Sequence, residues 1–313
     1  MPLRFFEPLN RAWNRMKEAL FRPFDLHKWL VIGFTVFLAG LADWYRGGSG
    51  NSRVGVGDEV SFGEFLDFPG RAWDWLIGHP LWFILILVGG SFLILLGIVL
   101  LWLSSRGKFM FLDNVVHDKA EVVNPWREYK TEGNSLFLWR LIFSLIVFSF
   151  FVMLVVLFFI GASQLYEDSY NSRLPIPFII LMGLVFFITF VIIGYISMFL
   201  DSFVVPIMFR QRISATKAWG RFLSIFGKYP FHFILFGLLV LVLIILFVIF
   251  VILAGLFTCC IGFFLLIIPY VGTVVTLPFW YWLRAFGIEF LAQFGDEYDV
   301  FPPGEAQPAK TTS

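Results

Sequence analysis

The stretch Phe231–Leu256, FHFILFGLLVLVLIILFVIFVILAGL, runs for 26 residues without one Asp, Glu, Lys or Arg. Coiled as an α-helix at about 1.5 Å per residue, it exceeds the ~30 Å hydrocarbon core of a bilayer. Five further segments are comparable: Trp29–Tyr45, Leu81–Leu103, Leu136–Gly161, Ile176–Leu200 and Phe263–Arg284. Among all the charged residues only Asp43, Arg140 and Arg284 fall inside the six, each near an end where a long side chain reaches the interface. Trp29–Tyr45 is the shortest and ends in polar sequence at Asp43.

The rest of the composition agrees. The 313 residues are 59% hydrophobic and 20% aromatic, with 42 Phe and 14% charged residues; soluble domains carry about 25% charged. A net charge of +1 excludes a polybasic nucleic-acid binder. The expected fold is all-α: a polytopic transmembrane helical bundle of six spans. We read residues 1–301 as a single integral membrane domain with 46–80 as an external loop insert, and 302–313, rich in Pro, as a disordered tail.

Lys and Arg set the orientation, because cytoplasmic loops keep the excess. Segments 1–28, 104–135, 201–230 and 285–313 hold 6, 5, 5 and 1, whereas 46–80, 162–175 and 257–262 hold 3, 1 and 0. The alternation places both termini in the cytoplasm. The first 28 residues are too polar for a secretory signal, so the N-terminus is expected to be retained. Gly47, Gly48, Gly50, Gly55 and Gly57 read as flexible loop, and Ser61-Phe62-Gly63-Glu64 has capping-box spacing. Trp73, Trp75 and Trp82 read as an outer aromatic belt.

Met110-Phe111-Leu112-Asp113 recurs as Met198-Phe199-Leu200-Asp201, and Ile288-Glu289-Phe290-Leu291 stands 88 residues further on, the same interval. A basic, Trp-bearing segment precedes each odd-numbered span: Arg11-Ala12-Trp13-Asn14-Arg15, Pro125-Trp126-Arg127 and Lys217-Ala218-Trp219-Gly220-Arg221. Two readings stand. Either three hairpins are repeated, each preceded by an interfacial amphipathic helix, or the matches echo a Phe-rich composition. Leu9, Trp13, Met16 and Leu20 would form one face of the first such helix, and Trp219, Phe222, Leu223 and Phe226 one face of the third. The candidate lipid-headgroup contacts are Arg11, Trp13, Arg15, Trp126, Arg127, Lys217, Trp219 and Arg221, with docking onto the bundle itself as the alternative.

Catalytic signatures are missing: the sequence has no HExxH, GxSxG, P-loop or GxGxxG. His27, His79, His117 and His232 are scattered, with His79 placed across the membrane from the others, and Cys259 and Cys260 are adjacent in apolar sequence. No metal site, cofactor or enzymatic activity is expected. Asp113, Asp201 and Glu289 at the inner span ends form a candidate acidic cluster, with Arg106, Lys108, Arg210 and Arg284 as counter-charges; the plainer reading makes each a helix cap. Pro269, Gly272 and Pro278 mark a broken last span, which fits either a transport site or ordinary packing. Gly89-Gly90-Ser91 is expected to permit a close helix contact.

The segment Ser104–Val116 (SSRGKFMFLDNVV), with Arg22-Pro23-Phe24-Asp25, Lys28-Trp29-Leu30 and Phe290–Gly295 (FLAQFG), resembles an uncharacterised family of bacterial multi-pass membrane proteins over nearly the whole chain. More distantly, the Trp-helix and hairpin layout is similar to the non-catalytic membrane domain of glycerophosphodiester phosphodiesterases. The chain has no soluble phosphodiesterase domain, so that resemblance implies no catalysis. It implies a bacterial inner-membrane protein, and the function expected from the residues is lipid binding or membrane and envelope organisation. Transport of a small solute or lipid is the alternative. Membrane lipids are the expected partners, and nucleic acid is not.

Overall fold

The computed structural model describes residues 4–47, 62–167, 175–258 and 261–301. The glycine-rich run 48–57, Ser61, Cys259, Cys260 and the tail 302–313, together with the side chains of Asp43 and Pro269, lie outside the described residues. Every regular element among the described residues is helical. In chain order these are α1 (Phe6–Phe21), α2 (Leu26–Gly47), α3 (Phe62–Leu66), α4 (Phe68–Gly78), α5 (Pro80–Val116), α6 (Val123–Glu128), α7 (Lys130–Glu167) and α8 (Ile176–Phe199). A π-turn (Leu200–Val204) leads into α9 (Val205–Gln211), and then come α10 (Ala215–Lys228), α11 (Pro230–Phe257), α12 (Ile261–Ile267), α13 (Pro269–Val275) and α14 (Leu277–Leu291).

Four helical stretches are long and apolar enough to cross a membrane: Pro80–Val116, Lys130–Tyr166, Ile176–Gln211 and Pro230–Phe257. At most 17% of the most apolar window of any of them is buried in protein, so their surfaces suit lipid. Two of the six expected spans depart from that length. The first is a shorter apolar helix over Leu26–Ala42, and the last runs as three pieces. Its breaks fall at Ile268, which is extended with ψ 110°, and at Thr276. A proline follows each, at the helix start where its missing N–H costs nothing.

The chain divides into two compact units. The first comprises Met1–Asp43, Leu101–Trp139 and Ile196–Ser313. Its centre is aromatic: Phe203 of the π-turn, Phe222 of α10, Phe233 and Phe236 of α11, and Phe286 and Phe290 of α14 are all fully buried. Phe236 stands 4.8 Å from Phe290 and 4.9 Å from Phe203, centroid to centroid. Such pairs add about 0.5–1.5 kcal/mol each beyond burial. Helix α1 buries Ala12, Met16, Ala19 and Leu20 and packs on α14. The docked face keeps Met16 and Leu20 of the expected stripe and adds Ala12 and Ala19, while Trp13 lies at its edge, edge-to-face with Trp282 at 5.3 Å. Helices α2 and α5 touch at Gly107, where an added Cβ would lie 2.7 Å from both Ala39 N and Leu38 C. Beside it Ser104 donates to the Ala39 carbonyl at 2.6 Å.

The second unit comprises Trp44–Leu100 and Arg140–Tyr195. Phe62 packs on Tyr166 and Phe65 on Phe159, centroids 5.6 and 5.5 Å apart, holding α3 against α7. Trp75 stacks on His79 at 4.6 Å, and Trp73, Trp75 and Trp82 are all exposed. The expected contact at Gly89-Gly90 is corrected: nothing described lies within 4 Å of a Cβ built at either glycine.

Candidate functional site

The structure gives each of the three acids its own environment, all within the first unit. None caps a helix. Asp113 sits inside α5, Asp201 inside the π-turn and Glu289 inside α14.

Glu289 is buried, and Arg15 Nε donates to its Oε1 at 2.6 Å, with Arg11 Nη1 3.8 Å from Oε2. Arg15 also lies over the Phe301 ring at 3.7 Å. Asp201 accepts from Lys108 Nζ at 2.6 and 2.7 Å, one bond to each carboxylate oxygen. The wider π-turn leaves the Asp201 carbonyl open to a side chain, and Arg284 donates to it. Gly287 of α14 permits this approach: a Cβ there would stand 3.2 Å from the Ser202 carbonyl. Lys108 is thus an expected counter-charge that meets an expected carboxylate, Arg284 meets the Asp201 carbonyl, and Arg11 and Arg15, expected as lipid contacts, meet Glu289.

Asp113 differs from the other two. Its Oδ1 accepts from the Tyr129 hydroxyl at 3.1 Å and lies 2.9 Å from His117 Nδ1, one helical turn on. It lines an open cavity of about 690 Å³ with His117, Lys119, Glu121, Asn124, Arg127 and Glu128. The α5 end, the turn after it and α6 build this cavity. Asn114 closes the turn by bonding the Glu121 backbone on both its amide groups. Asp118, with φ 49°, reverses the chain. Burial first, and the Asp113 carboxylate second, hold the Tyr129 phenol well above the usual tyrosine value. Tyr129 is sandwiched between Phe109 at 5.9 Å and Phe209 at 4.7 Å.

The remaining candidate residues divide between buried and exposed. Trp126 meets Trp102 edge-on at 5.6 Å, and the Arg106 guanidinium lies 4.6 and 4.8 Å from these two rings while bonding Asn134. Trp219 stacks on Trp139 at 5.2 Å, its buried Nε1 without a partner among the described residues. Arg127 and Lys217 are exposed, and exposed Arg221 lies 3.9 Å from Glu297. Arg11 pairs with Glu7, whose carboxyl it holds below the usual glutamate value. No group of three or more His, Cys, Asp or Glu that could hold a metal occurs among the described residues.

Sequence reasoning missed His117, Tyr129 and the α6 lining of the cavity. The Asp113/His117 spacing of four was the available signal, since such residues share a helix face. Tyr129 carried none, because only the fold brings it to Asp113.

No curated protein and no solved structure matches the chain. Its sequence matches a family over residues 3–295. The chain belongs to that family, the family of unknown function DUF7544.

Proposed function

We propose that this protein is a non-enzymatic integral membrane protein that binds lipid and assists membrane or envelope organisation. The reading places it in a bacterial inner membrane with six crossings, both termini cytoplasmic and three related hairpins, each preceded by an amphipathic helix. It keeps the distant kinship with the membrane domain of glycerophosphodiester phosphodiesterases as an architectural analogy.

One observation carries the lipid-binding reading. Helices α1 and α10 bury one side in protein, and their other sides and ends combine exposed cations with exposed large apolar residues. On α1 these are Lys17 with Phe6 and Phe21; around α10 they are Lys217, Arg221 and Lys228 with Leu223, Tyr229 and Phe231. Phe6 and Phe231 are 79% and 81% exposed. Aromatic residues at headgroup level beside Lys and Arg facing anionic lipid are the composition an interface favours.

Transport is the second reading, drawn from the three-piece segment Ile261–Leu291. The solid Phe203/Phe222/Phe236/Phe290 core of the same unit weighs against it, because a polar path is not built from closely packed rings. The test is native mass spectrometry of the full chain in mixed lipid, comparing the parent with Lys17→Gln/Lys217→Gln/Arg221→Gln/Lys228→Gln. Several-fold less anionic lipid should be retained, and unchanged retention counts against the proposal.

A further inference from the structure

The cavity beside α6 has a charge pattern that the lipid-binding face does not explain. Three charged groups of its lining, Asp113, Lys119 and Arg127, are uncommitted or only partly committed, and they are of both signs. Glu128 pairs with Arg212, and Glu121 accepts from Asn124. Asp113 is more than nine-tenths buried, and both of its contacts use Oδ1. Its Oδ2 has no partner among the described residues, and unlike Glu132 Oε2 it is not sealed from solvent. Lys119 and Arg127 line the same cavity, exposed and without an acidic partner among the described residues.

A largely buried carboxylate oxygen that solvent reaches and no protein group engages is satisfied by water or by a ligand's donor. Neither Lys119 nor Arg127 bonds it; both are exposed residues of the cavity lining. The cavity lining therefore offers one open acceptor and two exposed cations. The ligand that answers both has an ammonium at one end and an anion at the other. The anion suited to a fork-shaped guanidinium and a lysine ammonium is phosphate. The tail suited to Asp113 Oδ2 is a primary ammonium, which donates hydrogen bonds to it; a trimethylammonium has none to give.

We infer that this cavity binds a phosphoethanolamine group, with its ammonium on Asp113 Oδ2 and its phosphate on Lys119 and Arg127. The group has two natural sources, a phosphatidylethanolamine headgroup and a free phosphoethanolamine-type metabolite. The lipid source rests on the lipid-binding reading above, and the free source does not. Tyr129 is a positioning residue here: its hydroxyl occupies Oδ1 and so reserves Oδ2 for the ligand.

The test is titration calorimetry of the detergent-solubilised full chain with phosphoethanolamine, phosphocholine, ethanolamine and inorganic phosphate. A parallel arm measures retention of phosphatidylethanolamine against phosphatidylcholine by native mass spectrometry. Phosphoethanolamine should bind at least tenfold more tightly than the other three probes. Asp113→Asn and the exposed change Arg127→Gln should each weaken it at least tenfold; Arg127→Gln keeps the test valid if Asp113→Asn fails to fold. Retention of phosphatidylethanolamine that falls in both variants assigns the lipid source, and binding of the free probe alone assigns the metabolite. No preference for phosphoethanolamine in either arm, or a preference unchanged in Arg127→Gln, overturns the inference. These substitutions share no residue with the charge-neutralised variant above, so the two readings fail separately.

Discussion

Arg15 Nε and Glu289 Oε1 meet at 2.6 Å across 274 residues of sequence, and this contact ties α1 to α14. Glu289 is 5% exposed and Arg15 a quarter exposed, so the pair is partly desolvated. Removing one partner strands a charge, whereas removing both does not. Arg15→Gln should therefore destabilise the protein by up to about 3 kcal/mol, the low end for a broken buried pair, because Arg11 still stands 3.8 Å from Oε2. Arg15→Gln/Glu289→Gln should recover part of that loss. Thermal unfolding in detergent measures both, and faster tryptic cleavage at Lys17 in the single variant reports the loosened helix. Equal stability of the two variants would show that the pair contributes little.

Gly107→Ala should cost about 1–3 kcal/mol, the usual range for overpacking, because the methyl meets backbone atoms of Leu38 and Ala39 that cannot rotate away. Gly90→Ala on the same helix meets nothing within 4 Å and should be neutral or slightly stabilising, as Ala is the better helix former. Thermal unfolding of the two variants side by side checks the contrast.

Much of this architecture was legible in the sequence. Phe231–Leu256 predicts α11 to within one residue at each end, since an uncharged run of that length admits only one structure in lipid. Pro269 and Pro278 likewise stand at the starts of α13 and α14. The site was less legible. The residues Asp113, Asp201 and Glu289 were visible, but the bases that Asp201 and Glu289 meet depend on tertiary packing: Arg15 reaches Glu289 only because Ala12, Met16 and Leu20 dock α1 on α14. The expected face of α1 holds at Met16 and Leu20, which are buried, but not at Trp13. Hydrophobicity favoured Trp13, whereas close helix packing selected the small Ala12 and Ala19.

Tyr129 predicts a pH dependence. Its phenol is held above the ordinary value, so above about pH 10 the unfolded chain loses that proton while the folded chain keeps it. This contribution to stability is complete below about pH 10 and declines as pH rises beyond it. ¹³Cζ-tyrosine NMR, with Tyr129→Phe supplying the assignment, should show the Tyr129 signal still neutral at about pH 11. The Tyr129→Phe variant should lose less stability than the parent over the same rise.

Orientation is open to a direct check with reporter fusions at Ser52 and Ser313. A reporter at Ser313 should be active only in its cytoplasmic form, and one at Ser52 only in its external form. The reverse at either site would contradict the basic-residue asymmetry from which the orientation was drawn.

The central claim is that the outward sides of α1 and α10 lie at lipid headgroup level. Spin labels at Phe6 of α1 and Leu223 of α10, in a background with Cys259→Ala and Cys260→Ala, measure this by collision with oxygen and with a water-soluble nickel complex in a reconstituted bilayer. The account predicts depths within about 5–10 Å of the headgroup boundary, with broadening when anionic lipid is added. Collision rates equal to those of a label in bulk water at both positions would contradict it.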